Sequence, residues 1–309
     1  MLASRVLKYR VSCIQARFAS ETASKIKYAA RLFLGIGMTS NLLDKQLGDL
    51  LAQVLADADD EVIVVNPSAD AIEDLIRVAT DFDGVTPEIH MLADERTLKG
   101  VMDDFIVASH AADLIDDGTL TLRTTEDAQQ NSLLVTGETA VALVDAGSHV
   151  GGLTAADEEF VDAAYDTYAT QWEEADEFHL RTPPITRVRE TLAEEISPEA
   201  QEDFTGILDT LETARGDGDG LDEVTISLLV AAKNEALLYD ISKWGEDVGI
   251  ASKATFSRTK TKLEDMGLLD TEKVPIDVGR PRLRLKLGDE RLSGAEDDQV
   301  ASVAQSILN

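Results

Sequence analysis

The feature that most constrains the fold is an alternation of short apolar runs and helical patterns in the first half of the chain. EVIVV (61–65) and EIHML (88–92) are rich in apolar and β-branched residues, as buried strands are. After each run, apolar residues recur three or four positions apart, which predicts helices. The alternation predicts an α/β domain with a mixed sheet over residues 38–181.

The rest of this half follows from the same periodicities. The glycine-rich stretch GSHVGGL (147–153) is predicted to be flexible, and it is interpreted as a lid or a loop. The other predicted elements are a helix that begins at Ser40 or Asn41, one continuous helix over 96–118, a strand over 119–125, a hairpin over 131–147 and a long amphipathic helix over 156–176.

The second half predicts three helices, over 221–238, 239–250 and 251–269. A glycine, Gly249, ends the second helix, and Ser252 is placed to cap the third. Two short helices joined by a glycine turn indicate a helix-turn-helix. The third helix is expected to turn three apolar side chains inward: Phe256, Leu263 and Met266.

Two strands are predicted after the third helix, meeting at Gly279-Arg280-Pro281. Side chains alternate across a strand, so the second strand places its leucines on the core and its cations on the opposite face. A basic hairpin directly after a basic helix is typical of the wing of a winged helix-turn-helix, predicted over 221–292. The leucines are Leu283, Leu285 and Leu287, and the cations are Arg282, Arg284 and Lys286.

Charge divides the chain unevenly. Acidic residues outnumber basic ones 59 to 28, for a formal net charge of -31. Low lysine and abundant Asp and Glu, together with regular apolar periodicity, fit the cytoplasm of a halophilic archaeon, where a densely charged surface stays hydrated. Residues 1–37 are instead basic and acid-poor. We interpret them as an N-terminal extension that results from a misplaced start, with Met38 as the true start.

Positive charge collects at the helix-turn-helix despite this acidity. From Lys243 to Arg291 there are eleven basic and nine acidic residues. In this fold the third helix enters the major groove, and the wing lies beside phosphates or in the minor groove. The alternative is that these cations form surface ion pairs with nearby acids. The residues predicted to contact DNA are Lys243, Ser252, Lys253, Thr255, Ser257, Arg258, Lys260, Lys262, Arg280, Arg282 and Arg284.

Two segments complete the predicted organisation: a helical linker over 182–220 and an acidic tail over 293–309. A ligand pocket is expected where strands of the α/β domain end. The candidate ligand-binding residues are Asn66, Ser68, Asp94, Arg96, Asn131 and Ser132. Two alternatives stay open at these positions, because Asn66-Pro67-Ser68 also suits a turn and a helix cap, and Arg96 also suits a pair with Asp94 or Glu95.

Catalytic motifs are missing from the sequence. It contains no phosphate-binding glycine loop, and its only cysteine is Cys13. A phospholipase D motif needs a histidine with a lysine two positions later, which none of the four histidines has. The sequence therefore predicts no catalytic residue, metal site or cofactor. Whether a sugar or sugar-phosphate effector binds stays open. No apolar run is long enough to cross a membrane.

The order of an α/β domain followed by a winged helix resembles a known family. The segments VIVVNPSADAIEDLI, DDFIVASHAADLIDDGTLTLRTT, NSLLVTGETAVALV and FVDAAYDTYATQWEEADEF are similar to the haloarchaeal TbsP regulators. They resemble, more distantly, the sensor half of TrmB-type sugar regulators and one half of a phospholipase D fold. The resemblance implies a dimeric, cytoplasmic transcription factor of central carbon metabolism that binds promoter DNA.

Two other functions stay open at this point. A ligand-free architectural protein would use the α/β domain only to dimerise. An α/β enzyme would use the winged helix only as a protein contact.

Overall fold

The computed structural model describes residues 42–82, 84–125, 131–147, 149–211, 213–215, 221–275, 281–292 and 294–308. The extension 1–37 and the wing tip with Arg280 lie outside these ranges. Within them, no helix is long and apolar enough to cross a membrane.

An eight-stranded sheet organises the first half of the chain, in the order β1-β7-β6-β5-β2-β3-β4-β8. Its strands are β1 (Leu42–Lys45), β2 (Glu61–Val65), β3 (Glu88–Ala93), β4 (Leu120–Thr124), β5 (Ser132–Val135), β6 (Ala140–Asp145), β7 (Val150–Ala155) and β8 (Asp176–Glu177). The helices are α1 (Leu47–Asp57), α2 (Ala69–Thr80), α3 (Glu95–Met102), α4 (Phe105–Asp116) and α5 (Glu158–Glu174).

The sheet is mixed, as the sequence predicts. Strands β2, β3 and β4 run parallel to one another. The strands that flank them run antiparallel to their neighbours, β5 to β2 and β8 to β4. Helices α1 to α4 bury their apolar faces against one side of the sheet, where the larger core of this half lies. Helix α5 covers a smaller core on the other side. The mixed α/β class of the first half is therefore confirmed.

Helix α5 is held on its side of the sheet by aromatic and polar contacts as well as apolar ones. The centroids of the Trp172 and His90 rings lie 4.4 Å apart. The guanidinium carbon of Arg123 lies 4.0 Å from the centroid of the Trp172 ring. The Tyr165 hydroxyl donates a hydrogen bond to the Glu61 carboxylate, and this bond raises the pKa of Tyr165 to about 12. Tyr168 packs against the apolar core beside Tyr165. These aromatic side chains therefore anchor α5 to the strands.

Two predictions for this half are wrong because strand pairing overrides the preference of the local sequence for a helix or a loop. Leu42–Lys45 does not begin a helix, since it pairs with β7 as an edge strand and α1 begins only at Leu47. The lid or loop predicted over 147–153 is wrong from Val150 onward, because β7 begins there and pairs with β6 along its length. Its glycines are tolerated because backbone hydrogen bonds on both edges hold the strand in place.

The single helix predicted over 96–118 is also wrong. The chain forms two helices, α3 and α4, which are separated at Asp103 and Asp104. The Asp104 carboxylate accepts the backbone N–H of Ile106 and so caps a new helix. An aspartate in a helical pattern therefore marked a helix start that apolar periodicity alone does not show.

The second half of the chain has one apolar core. Its elements are α6 (Ile185–Glu195), α7 (Pro198–Asp209), α8 (Glu223–Lys233), α9 (Leu238–Val248), α10 (Lys253–Asp265), β9 (Leu269–Val274), β10 (Arg282–Leu287), a 3₁₀ turn (Glu290–Leu292) and α11 (Asp297–Leu308). Helices α6 and α7, from the segment expected as a linker, bury Val188, Leu192 and Phe204 in this core. These helices therefore enlarge the helix-turn-helix domain.

Residues 293–309, expected as an acidic tail, contain α11, which packs on the same core through Val300, Ala301 and Ala304. The Lys233 ammonium lies 3.0 Å from Asp203 and 2.6 Å from Asp297, so it ties α8 to α7 and α11. Three apolar positions on one face of a short acidic segment are enough to dock it, since the acids stay on the opposite face.

A buried carboxylate joins the two halves. Asp104 is 1 % exposed and accepts hydrogen bonds from the backbone N–H of Ala214 and from Arg215 Nε, both at 3.3 Å. Arg215 also donates to Glu73 at 3.0 Å. Beside Asp104, the ring of Phe105 meets Phe204 edge-on in the second core, with centroids 6.4 Å apart. The start of α4 therefore belongs to both halves.

We expect Asp104→Ala to lower the free energy of unfolding by about 2–3 kcal/mol, because it removes a helix cap and leaves buried donors without an acceptor. The measurement is urea unfolding followed by far-UV circular dichroism. Asp103→Ala, at the exposed neighbouring carboxylate, is the matched control and should change stability by about 0.5 kcal/mol or less. Equal effects of the two substitutions would contradict the role of Asp104.

Candidate nucleic-acid interface

Helices α9 and α10 form the helix-turn-helix. Gly249 follows α9 with φ 100°, a left-handed conformation that favours glycine, and turns the chain sharply. The Ser252 side chain then accepts the backbone N–H of Thr255 and caps α10. Both features were predicted from the sequence, and both are confirmed.

The close approach of the two helices depends on a second glycine. A Cβ at Gly245 of α9 would lie 2.3 Å from ring carbons of Phe256, which is buried in α10. Only hydrogen at this position lets the ring enter the space between the helices. Gly245 therefore sets how deeply α10 sits and which of its faces is left outside, a role the sequence pattern gave no signal for.

Helix α10 turns one face inward and a polar face outward. Phe256 and Leu263 are buried, whereas Met266, which was predicted to face inward, is 37 % exposed because it lies in the cap after the last turn. The outward face carries Ser252, Lys253, Ser257, Arg258, Thr261 and Lys262. Thr255 and Lys260 are only partly exposed.

The hairpin predicted as the wing is present. Strands β9 and β10 pair in antiparallel register from Leu269↔Leu287 to Val274↔Arg282. A third strand contact comes from Leu237, just before α9, which bridges to Arg284. Leu285 is fully buried, and Arg282 and Arg284 point to the opposite, partly exposed face. The hairpin therefore continues the surface that α10 begins.

Most cations of this surface are held by carboxylates of the same domain. In the two helices, Lys243 lies 2.5 Å from Asp247, Lys253 lies 2.7 Å from Glu246, and Lys260 lies 2.7 Å from Glu264. The Lys260 side chain is only 11 % exposed, so it is poorly placed to reach DNA. The alternative interpretation from the sequence, surface ion pairs, thus describes much of this surface in the free protein.

The cations of strand β10 are paired in the same way. Arg282 lies 3.3 Å from Asp240 and stacks on Tyr239, with its guanidinium 4.4 Å from the ring centroid. Arg284 lies 3.7 Å from Glu235. Lys286 lies 2.8 Å from Glu272, and this contact raises the pKa of Lys286 and lowers that of Glu272.

Two exposed cations of α10 differ from the others. Among the described residues, Arg258 and Lys262 have no carboxylate partner, and Arg258 donates only to the Thr255 hydroxyl, at 3.4 Å. They are four residues apart and so project from the same face of the helix. This face of α10 therefore carries uncompensated positive charge.

A cleft of about 1000 Å³ lies at the carboxyl ends of β3 and β4 in the first half. One wall is lined by Asp94, Arg96 and Lys99. The other wall is lined by residues 176–182, which include Arg181. Asp94 caps α3 through the backbone N–H groups of Arg96 and Thr97. Within the described chain, the Arg96 and Arg181 guanidiniums contact no carboxylate. A cleft with two cations that have no carboxylate partner among the described residues therefore lies at these strand ends, and its use as a ligand pocket stays a prediction.

The six candidate ligand residues are only partly brought together. Asp94 and Arg96 line the cleft, whereas Asn66, Ser68, Asn131 and Ser132 lie outside it, at the ends of β2 and β5 on the same edge of the sheet. Ser68 caps α2 by accepting the Ala71 N–H, which supports the cap interpretation of this position. The sequence pattern gave no signal for Arg181, because it lies in an irregular segment far along the chain.

A second cavity, of about 250 Å³, lies between the two halves. Its lining includes Gly249 and Ile250 of the helix-turn-helix turn. Four of its lining residues also line the cleft: Met102, Asp103, Arg181 and Thr182. Glu223, at the start of α8, faces this cavity, and burial raises its pKa. The cleft and the turn before α10 therefore share a wall.

Comparison with known families decides what this arrangement belongs to. Residues 39–183 match the N-terminal domain of TbsP-like transcriptional regulators, and residues 184–305 match the C-terminal helix-turn-helix domain of the same regulators. The chain belongs to the TbsP-like transcriptional regulators. It is therefore a DNA-binding regulator and not an enzyme.

Similarity to solved structures is weaker. A structure described as TrmBL2, an archaeal chromatin protein with a novel mode of DNA binding, is 15 % identical over 57 % of this chain and 71 % of that chain, with a TM-score of 0.33. A phospholipase D family member, Nuc from Salmonella typhimurium, is 9 % identical over 45 % of this chain and 97 % of that chain, with a TM-score of 0.34. No curated protein gave a significant match.

The residues predicted to contact DNA in this TbsP-like regulator are placed as follows. Lys243, Ser252, Lys253, Ser257, Arg258 and Lys262 are exposed on α9 and α10, and Arg282 and Arg284 are partly exposed on the wing. Arg280 is outside the described residues. In the described part of the chain, no group of His, Cys, Asp and Glu side chains is arranged to hold a metal.

We expect Gly245→Ala to lower the free energy of unfolding by about 1–3 kcal/mol, because the new methyl group forces α9 and α10 of this TbsP-like domain apart. DNA binding should weaken further than stability accounts for, since α10 is displaced. The measurements are urea unfolding and fluorescence anisotropy with a promoter duplex. Gly100→Ala, at an exposed helical glycine with no neighbour within 4 Å, is the control and should not destabilise.

Proposed function

We propose that this protein binds promoters of central carbon and sugar metabolism genes in the cytoplasm of a halophilic archaeon, as a homodimer whose two α10 helices read two half-sites. The observation that carries the proposal is the pair Arg258 and Lys262, exposed and unpaired on α10 in a chain of net charge -31. In a helix-turn-helix the second helix enters the major groove, and arginine there contacts guanine edges or phosphates.

The dimer is supported by the geometry of this class of reader. Half-sites one helical turn apart are read by two copies related by a two-fold axis. Apolar side chains lie exposed on the α5 side of the sheet, at Val144, Leu153 and Phe160, and offer a surface for the second copy.

We expect the double variant Arg258→Ala/Lys262→Ala to lose about 10²-fold in affinity for a promoter duplex, since it removes the two uncompensated cations of α10. Promoters are first identified by genome-wide crosslinking of a tagged protein, and affinity is then measured by fluorescence anisotropy. The control is Arg77→Ala/Lys99→Ala, two exposed cations of the α/β domain with the same total charge change. Unchanged affinity in the first variant, or equal loss in both, would contradict the assignment of α10.

We also propose that a small anionic metabolite, such as a sugar phosphate, binds the cleft and alters DNA binding. The two unpaired guanidiniums of Arg96 and Arg181 support the choice of an anion, because bidentate arginine contacts suit phosphate. The wall that the cleft shares with the turn before α10 supports the coupling.

We expect Arg96→Ala to abolish the response to the metabolite and to leave DNA binding without metabolite unchanged, because Arg96 lines the cleft but not the cavity beside the turn before α10. The measurement is thermal unfolding and DNA anisotropy against a series of phosphorylated sugars. The unphosphorylated sugars serve as controls for the role of the phosphate. If no compound shifts either signal, the α/β domain acts without a ligand, and the architectural alternative takes its place.

A further inference from the structure

Three carboxylates of α9 each hold one cation of the α10 and wing surface. Asp247 pairs with Lys243 of the same helix, Glu246 pairs with Lys253 at the start of α10, and Asp240 pairs with Arg282 of the wing. One helix therefore supplies a counter-charge to each of the three elements that form the surface. We call Asp240, Glu246 and Asp247 the α9 acids.

Two of the α9 acids, Glu246 and Asp247, are held in the ionised form by their cation partners. The pKa of Glu246 is lowered by hydrogen bonds from the ammonium and the backbone N–H of Lys253. The pKa of Asp247 is lowered by its hydrogen bond from Lys243. The three pairs are solvent-exposed, so each is weak and can be exchanged for another partner.

DNA phosphates and the α9 acids require the same cations. A cation that moves from a carboxylate to a phosphate displaces a counterion from DNA, which favours binding at low salt. It also leaves an ionised carboxylate beside a strongly negative surface, and this carboxylate recruits a solvent cation. For each paired cation, the counterion released from DNA is nearly balanced by the solvent cation that the freed carboxylate takes up. Arg258 and Lys262 have no carboxylate partner, so the counterions that they displace from DNA are not balanced in this way.

We propose that the α9 acids compete with DNA phosphates for the interface cations and thereby set the salt dependence of DNA binding. This inference rests on the proposed function of α10 and the wing. Because non-specific binding is almost entirely electrostatic, the same competition suppresses it more than binding that includes base contacts. The α9 acids are thus specificity-determining residues, although none needs to touch a base.

The test compares salt slopes. Affinity for a promoter duplex and for a mixed-sequence duplex is measured by anisotropy from about 0.1 to about 1 M KCl, a range over which screening lengths fall from about 10 to about 3 Å. The variant is Asp240→Asn/Glu246→Gln/Asp247→Asn. The control, Asp162→Asn/Asp166→Asn/Glu174→Gln, makes the same three types of change at exposed acids of α5. Thermal unfolding checks that both variants fold, and Glu246→Gln alone provides a milder second variant.

We expect the slope of log affinity against log salt to be about -2 to -3 per protomer for the unaltered chain, and steeper by about 2–3 for the α9 variant. At about 0.1 M KCl the α9 variant should bind mixed-sequence DNA on the order of 10²-fold more tightly, and the ratio of promoter to mixed-sequence affinity should fall. Glu246→Gln alone should give about one third of the slope change.

The contrary outcomes are distinct. Parallel salt lines for the unaltered chain, the α9 variant and the α5 control would overturn the competition and leave DNA binding by α10 intact. An equal shift in the α9 variant and the control would assign the effect to net charge and overturn it as well. Absence of promoter binding at every salt concentration would overturn the proposed function and the inference with it.

Discussion

The hydrogen bonds of the Asp104 carboxylate are the interactions on which the relation between the two halves depends. This side chain ends one helical pattern, begins α4 and holds the chain that leads into α8, at Ala214 and Arg215. A buried charge is costly unless it is fully hydrogen-bonded, so its partners cannot move away independently. The result is a junction at which the α/β domain and the helix-turn-helix domain share side chains, with Phe105 packed in the second core.

The excess of acid in the chain extends into the surface of α9, α10 and the wing, which we propose binds DNA. Asp240, Glu246 and Glu272 lie among the cations of α9, α10 and the wing, at distances that allow direct pairing. A strongly basic domain would bind any DNA through phosphates alone. A surface on which most cations are paired, with uncompensated charge at Arg258 and Lys262 of α10, is expected to transfer more of the recognition to geometry and base edges.

Much of this fold is predictable from the sequence because the deciding signals are local. The runs 61–65 and 88–92, Gly249 as a helix end and Ser252 as a cap depend on neighbours a few residues away, and all of them are confirmed. The edge strand β1 was not predictable in this way, because its partner β7 lies about a hundred residues away. The strand β7 was missed for another reason: its glycines favour a loop, although it pairs with the neighbouring strand β6. The interface shows the same limit, since periodicity places Lys253 and Lys262 on one exposed face but does not reveal that only Lys253 has a carboxylate partner.

The position of the cleft explains how a small ligand in one half would reach α10 in the other. Asp103 and Arg181 line both the cleft and the cavity beneath the turn at Gly249 and Ile250, and Asp103 directly precedes the buried Asp104. A ligand that draws Arg181 toward the cleft would also move a residue of the cavity wall. The turn that sets the start of α10, at Gly249 and Ile250, lies in the same cavity wall. Coupling of this kind needs no long chain of contacts, because the cleft and the cavity beside the turn share lining residues.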